Sequence, residues 1–312
     1  MAYNMISELT SEKKYWKIKA RVLRIWEFKQ NINDVDSFGL DMLLIDEKGN
    51  TIQGTIWKAD IPYFRDILQK NEIYTISGFR VTPPKKSHRC SEHSNAIQVA
   101  RNTFVRHIPN CQDPIPFEKF QFVKYESLRE RVDQDLYLTD YVGELITMSH
   151  STNTYTKKQM TKKRDLRIRD ERKNEIMVTL WRTTADNFNE DFIISEQKKG
   201  PVVIVIAAVA VRIYGGDLTL SACSATTYYV NLDIPEVVQL KNMYKLNLIV
   251  KDDNGSTFLL VFRKIVEELI GLPIQLLLPQ MINEQHEQQT LFPRALQNII
   301  GMTKIFQMII TR

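Results

Sequence analysis

Apolar and polar side chains alternate along WKIKARVLRIW, residues 16–26, well enough to predict one long strand. A second strand is predicted over Gly39–Ile45. A polar turn at Glu47–Asn50 leads into a third, which ends at Trp57. Apolar residues from Ile61 to Leu68 then recur at helical spacing. Strands at Ile73–Val81 and Ile97–His107 complete the set. The second half repeats this order. Strands are expected at Tyr137–Met148, Asp165–Asp170 and Glu175–Trp181, then a helix at Ala185–Phe192, then strands at Val202–Tyr214 and Leu218–Val230.

Part of the repetition is literal. DEKGNTIQGTIW (46–57) and DERKNEIMVTLW (170–181) stack Asp46 on Asp170, Asn50 on Asn174 and Trp57 on Trp181. DNGSTFLLVF at 253–262 is a shorter third version. A repeat this long fits tandem small domains and not a solenoid. Three strands, a helix and two strands is the order of the OB-fold, a small Greek-key barrel. The fold class expected is therefore all-β with short helices, in tandem OB barrels. The boundaries are a first barrel over 1–110, a linker over 111–135, a second barrel over 136–232 and a truncated third over 233–312. In the third, strands are expected at Tyr244–Val250, Phe258–Phe262 and Lys304–Thr311, with a helix at Lys264–Ile270. No first strand precedes Tyr244, unless Val237–Lys241 supplies it. Open sheet edges are expected there.

Composition adds little. Charged residues are 25% and apolar residues 43% of the 312, and the net charge of +5 leans only modestly towards anionic partners. Three cysteines without a CxxC pair argue against a disulfide scaffold. The most apolar run, PVVIVIAAVAV at 201–211, falls well short of the roughly 20 residues that span a bilayer, so it reads as a buried strand and no membrane contact is expected. Gly-rich phosphate loops, HExxH and GxSxG are all missing, so no enzyme activity is expected. His88, Cys90, His93 and Cys111 do not have the spacing of a structural zinc site, and the surrounding segment Thr82–Asn95 reads as a mobile, polar, basic loop.

Several strings resemble the large subunit of replication protein A in its expanded plant form: WKIKARV at 16–22, LDMLLIDEKGN at 40–50, VTLWRTTADNF at 178–188, and RIYGGDLTLS followed by NLDIPE at 231–236. The resemblance covers about residues 14–240 well and 244–312 in part. It implies a single-stranded DNA-binding protein acting in replication, repair or recombination in the nucleus. RNA is also allowed, because stacking does not distinguish the sugars. Smaller replication protein A-type subunits are the partners it implies. The family's zinc ribbon has no counterpart, so no cofactor is expected. Neither its N-terminal partner-recruiting OB-fold nor its C-terminal assembly helix is expected here.

Binding unpaired strands takes a basic groove and aromatic faces on which bases stack. Trp57 and Trp181 end the third strand of their units, where the resemblance places a stacking aromatic. Each is followed by a cation, Lys58 or Arg182. Alternation puts Trp57 with Thr51, Gln53 and Thr55, and Trp181 with Thr179, on the polar face of the strand. A buried, structural Trp is the competing reading. Tyr214, before Gly215-Gly216, is the second aromatic of the second unit; the competing reading is a tyrosine covering a turn. KKQMTKKRDLRIRDERK (157–173) holds nine Lys or Arg against three Asp or Glu. It is read as the loop between strands one and two, with Lys162, Lys163 and Arg164 as phosphate contacts. A solvated face or an import patch is the alternative. Arg24, Trp26 and Lys29 begin the equivalent loop of the first unit, and Arg24 and Trp26 match an Arg and a Trp of the family. The rival function is a protein-interaction scaffold that has kept the fold and lost the groove.

Overall fold

The computed structural model describes residues 3–29, 38–134, 136–156, 159–242, 245–252, 255–271 and 299–303. They fall into two compact units, residues 1–188 with 203–232 and residues 189–202 with 233–312.

The first unit contains both barrels. In the first barrel the strands are β1 (Lys17–Phe28), β2 (Gly39–Ile45), β3 (Thr51–Trp57), β4 (Ile73–Ser77), β5 (Arg80–Thr82), β6 (Ala96–Gln98) and β7 (Phe104–His107), with helix α1 (Ile61–Phe64) after β3. They are bonded in the order β5-β6-β3-β2-β1-β4-β7. The strand expected over Ile73–Val81 is bent in the middle, where Gly78 takes φ 75° and Phe79 turns into the core. That bend closes the barrel: β4 pairs with β1, and β5 pairs with β6, which lies parallel to β3. Ile18, Ala20, Val22, Met42, Leu44, Ile52, Ile56 and Ile76 fill the interior.

The second barrel has β8 (Thr139–Met148), β9 (Thr152–Thr156), β10 (Gln159–Arg169), β11 (Glu175–Trp181), helix α2 (Arg182–Asp186), β12 (Val203–Tyr214) and β13 (Asp217–Val230). Its ladder runs β11-β13-β12-β8-β10, and β11 also pairs with β10, so the ring is closed. The basic run is not mainly a loop, as expected from its polarity. From Gln159 to Arg169 it is strand, and its first half pairs with β9 as a hairpin. Thr161, Arg164, Leu166 and Ile168 turn inward at intervals that a polar composition hides.

The repeated string is mostly turn chemistry. Asp46 accepts hydrogen bonds from the Lys48 and Asn50 amides at 3.0 and 2.9 Å and from Ile6 N–H at 2.7 Å. Asp170 accepts from the Arg172 and Asn174 amides, both at 2.8 Å. In each hairpin a carboxylate ties down the N–H groups of a tight loop.

Residues 111–134 run along the barrels. Ile115 and Leu128 are buried, Arg21 donates to the Ile115 carbonyl and stacks on Phe117 at 3.7 Å, and Phe122 bridges to Asp140. Trp26 packs between two clusters, one of Leu23, Leu43, Ile45, Ile73 and Ile115, the other of Leu138, Ala208, Ala210 and Ala225. Arg24 lies 3.7 Å from Asp140. Asp140 also accepts from the amides of Gln121 and of Ala208, a bulge residue of β12 at φ 61°. The two barrels thus share a packed joint.

The second unit contains α3 (Glu190–Lys199), α4 (Pro235–Asn242), a two-stranded ladder of β14 (Lys245–Asp252) and β15 (Gly255–Phe262), and α5 (Arg263–Ile270). Residues Val237–Lys241 are helical, so they supply no strand. Val261 and Val266 pack with Leu248, Leu269 and Ile270. The strand expected at Lys304–Thr311 lies outside the described residues. Among the described residues, no helix is long and apolar enough to cross a membrane.

Candidate nucleic-acid interface

Trp57 is 40% exposed, on the face opposite Ile52 and Ile56. It does not stand alone. Phe28 at the end of β1 and Phe38 at the start of β2 meet it edge-on, with ring centres 6.1 and 5.5 Å away. Gly39, which pairs with Trp57, makes this possible, because a Cβ there would lie 2.5 Å from the Phe28 ring. Sequence reasoning missed both phenylalanines. The signal available was their position, bracketing the loop between β1 and β2, with a glycine facing a tryptophan. Lys29 and Lys58 are exposed beside the cluster, and Lys58 N–H donates to the Phe38 carbonyl.

Arg24 and Trp26 are placed elsewhere. Arg24 is 4% exposed at the joint, and Trp26 is half-buried between the two clusters there. Both were expected to face ligand. Their strand continues under the second barrel, so here they hold the barrels together.

Thr82–Asn95 was expected to be a mobile loop. Instead it lies over the outer face of β2 and β3. Lys85 pairs with Asp41 and sits 3.6 Å over Phe28. Cys90 N–H donates to Gln53 Oε1, and Arg89 forms a bridge with Tyr137 of the second barrel. Asp41, Gln53 and Thr55 are buried as a result. Burial pushes the Asp41 carboxyl above the usual range, partly offset by Lys85, Thr55 and Gln53. The four residues considered for zinc are dispersed. His93 bonds the Ile6 carbonyl, Cys90 packs against the same two clusters as Trp26 with its thiol pushed by burial up to about 12, and Cys111 donates to Asp113.

In the second barrel Ile176, Val178 and Leu180 point inward, and Trp181 is half-buried on the other face, its indole N–H donating to Ser221 Oγ at 3.0 Å. That bond fixes the ring in plane and leaves its faces to other partners. Arg182 follows, exposed, in the left-handed region at φ 52°. Lys163 is the cross-strand neighbour of Trp181. Tyr214 is 79% exposed at a two-residue hairpin whose Gly215 and Gly216 both have positive φ, the geometry of a type I′ turn. Tyr155 and Met160, paired across the β9–β10 hairpin, are 70% and 59% exposed, and sequence reasoning passed over both.

Much of the basic run is neutralised from outside it. Arg167 meets Glu175, Arg169 meets Glu144 and Arg172 meets Glu126. Arg164 is 6% exposed, donates to the Ser149 carbonyl and lies 5.1 Å over the Phe188 ring. It is a packing residue, contrary to expectation, because its position on β10 faces inward. Lys162 and Lys163 remain on the surface, paired with Asp186 and Asp165 at 2.6 and 2.8 Å. Exposed pairs of this kind are worth only about 0–1 kcal/mol, so a phosphate can displace the carboxylate.

Comparison with known proteins follows the two barrels. Residues 7–128 match the family described as domain of unknown function DUF223, and residues 130–231 match the replication protein A OB domain. The chain is 26% identical over 234 residues to a replication protein A 70 kDa DNA-binding subunit of Arabidopsis thaliana, covering 73% of this chain and 38% of that protein. It is 30% identical over 243 residues to replication factor A protein 1 of Schizosaccharomyces pombe, covering 77% and 38%. The chain thus spans under two fifths of the length of these relatives. Among solved structures, a chain of a replication protein A heterotrimer bound to ssDNA shares the fold, with a TM-score of 0.55 at 19% identity, over 95% of this chain and 88% of that one.

Proposed function

Because the chain is a replication protein A large-subunit-like protein of tandem OB folds, we propose that it binds single-stranded DNA by stacking unpaired bases on Trp181, Tyr214 and Trp57. The observation that carries this reading is the repetition of one arrangement. In each barrel a tryptophan off the core face ends the strand that leads into the helix, β3 or β11, with a cation next in sequence. Lys162, Lys163 and Arg182 neutralise phosphates in the second barrel, and Lys29 and Lys58 do so in the first. RNA is also allowed, because stacking does not distinguish the sugars. The protein acts as a non-enzymatic binder in replication, repair or recombination, in the nucleus, alone or with smaller subunits of the same family type. The reading invokes no cofactor.

The second barrel carries most of the affinity. The outer face of β2 and β3 is already covered by residues 83–95 and Trp57 is packed by Phe28 and Phe38, whereas half-buried Trp181 shares its barrel with the exposed Tyr214. Titrating the full chain with oligothymidylate while following tryptophan fluorescence tests this. Quenching should occur with the single strand and be largely lost in Trp181→Ala, the remainder coming from Trp57. Equal affinity for a fully paired hairpin stem would sink the proposal, since paired bases hide the faces that stack.

A further inference from the structure

The wall of the first barrel opens where β1 and the bent strand β4–β5 part. Lys17 is the last residue of β1 paired with β4, opposite Ser77. Towards the N-terminus the chain leaves the sheet through Ser11–Lys14, while Gly78 swings the other strand away into β5. A cavity of about 510 Å³ lies between them. Lys13, Lys14 and Arg80 line it together with Gln98 and Asn102, and no Asp or Glu does. Lys13 rests 4.6 Å over Trp16. Among the described residues no carboxylate engages Lys14 or Arg80. Among the described residues β5 has a neighbour on one side only, at the end of the ladder, and it contributes Arg80 and Val81 to the lining. Phe104 is 76% exposed at the rim, beside Gly78.

An unpaired strand edge offers N–H and C=O groups that an extended chain completes, and adjoining pockets then choose its side chains. Three cations without an acid select carboxylates. The exposed Phe104 ring offers contact to one apolar side chain. A nucleic-acid path is less well served, because a strand of bases needs successive open ring faces, and here Phe104 stands alone at the rim while Phe79, the aromatic inside the cavity, is 3% exposed. We infer that this cavity docks an extended acidic segment, interrupted by apolar residues, of a partner protein. The site is separate from the tryptophan faces and does not depend on the DNA-binding reading.

Fluorescence anisotropy of the full chain with a labelled peptide of about eight residues, alternating Glu and Leu, tests the inference. The wild-type chain should bind it, and a peptide with Lys in place of Glu should not bind. Lys14→Glu with Arg80→Glu should weaken binding about tenfold or more, the effect of removing two favourable interactions of about 0.7 kcal/mol each. Phe104→Ala should weaken it by a smaller factor. All these side chains are on the surface, and circular dichroism should report unchanged folding. Saturating oligothymidylate should leave the peptide bound. Equal binding by the charge-reversed chain overturns the inference. So does displacement of the peptide by oligothymidylate, which would make the cavity part of a nucleic-acid path. Loss of DNA quenching in Trp181→Ala is read separately, so the two proposals fail independently.

Discussion

At the scale of single residues, the two tryptophans differ in what surrounds them. Trp181 is held by one hydrogen bond to Ser221 and has half-open faces, whereas Trp57 leans on Phe28 and Phe38. Trp181→Ala should therefore cost about 1–3 kcal/mol of single-strand binding with little loss of folding stability. Trp57→Ala should cost less binding and more stability, because two rings lose a neighbour. Isothermal titration and thermal melts of both variants check this, and a large melt shift for Trp181→Ala would make it a core residue. Lys162→Ala with Lys163→Ala should flatten the salt dependence, by about 0.7 in slope for each phosphate no longer neutralised. Arg164→Ala should leave the slope unchanged and lower the melting temperature, since its guanidinium packs on Phe188. Alternation along β3 and β11 made the tryptophans legible. It could not separate Arg164 from Lys162 and Lys163, because three adjacent cations carry no apolar marker of which one turns inward.

At the scale of elements, what was legible was what local chemistry dictates. The hairpin turns are set by Asp46 with Asn50 and by Asp170 with Asn174, so the same letters gave the same turn twice. Asp46→Ala should cost about 3 kcal/mol of stability, because it strands the buried Ile6 N–H as well as the loop amides. Asp170→Ala should cost about half that, its turn being more open to water. Denaturant unfolding of the pair measures the difference. Gly39→Ala should displace the Phe28 ring and cost about 1–3 kcal/mol. The segment 83–95 was illegible for the opposite reason. Its lysines, histidines and serines look solvated, and only partners far along the chain, Asp41, Gln53 and Leu136, give them a fixed place.

At the scale of the molecule, the joint was the least legible part. It depends on Trp26 meeting Ala225 and Arg24 meeting Asp140, contacts that no window of sequence contains. Lys70 donates to Tyr229, and Glu118 on the linker lies beside the same hydroxyl. Burial raises the Glu118 carboxyl above its usual value, despite Lys70 and Tyr229 pulling it down. The folded chain therefore holds this proton where the unfolded chain has lost it. Stability from this group is full below the ordinary glutamate value, about 4.3, and falls as pH rises through the raised one. Glu118→Gln should flatten that fall, which melting temperatures across the acid range would show. A linker packed on both barrels also changes how two weak sites combine. Their spacing is set in advance, so the entropy of bringing them together is largely spent on folding.

The covering of Trp26 also fixes an order of events as the chain is made. Its partners Leu138, Ala208 and Ala225 follow it by more than a hundred residues. N-terminal domains fold first during synthesis, so the first barrel closes while one side of Trp26 and of Cys90 still faces water. For the time taken to synthesise and fold the second barrel, the nascent protein presents a sticky flank beside segment 83–95, which Asp41 and Gln53 hold but Leu136 and Tyr137 do not yet hold. A chain ended at residue 128 would be caught in that condition permanently. It should bind a hydrophobic dye, self-associate on concentration and be cleaved by protease within residues 83–95, where the full chain resists.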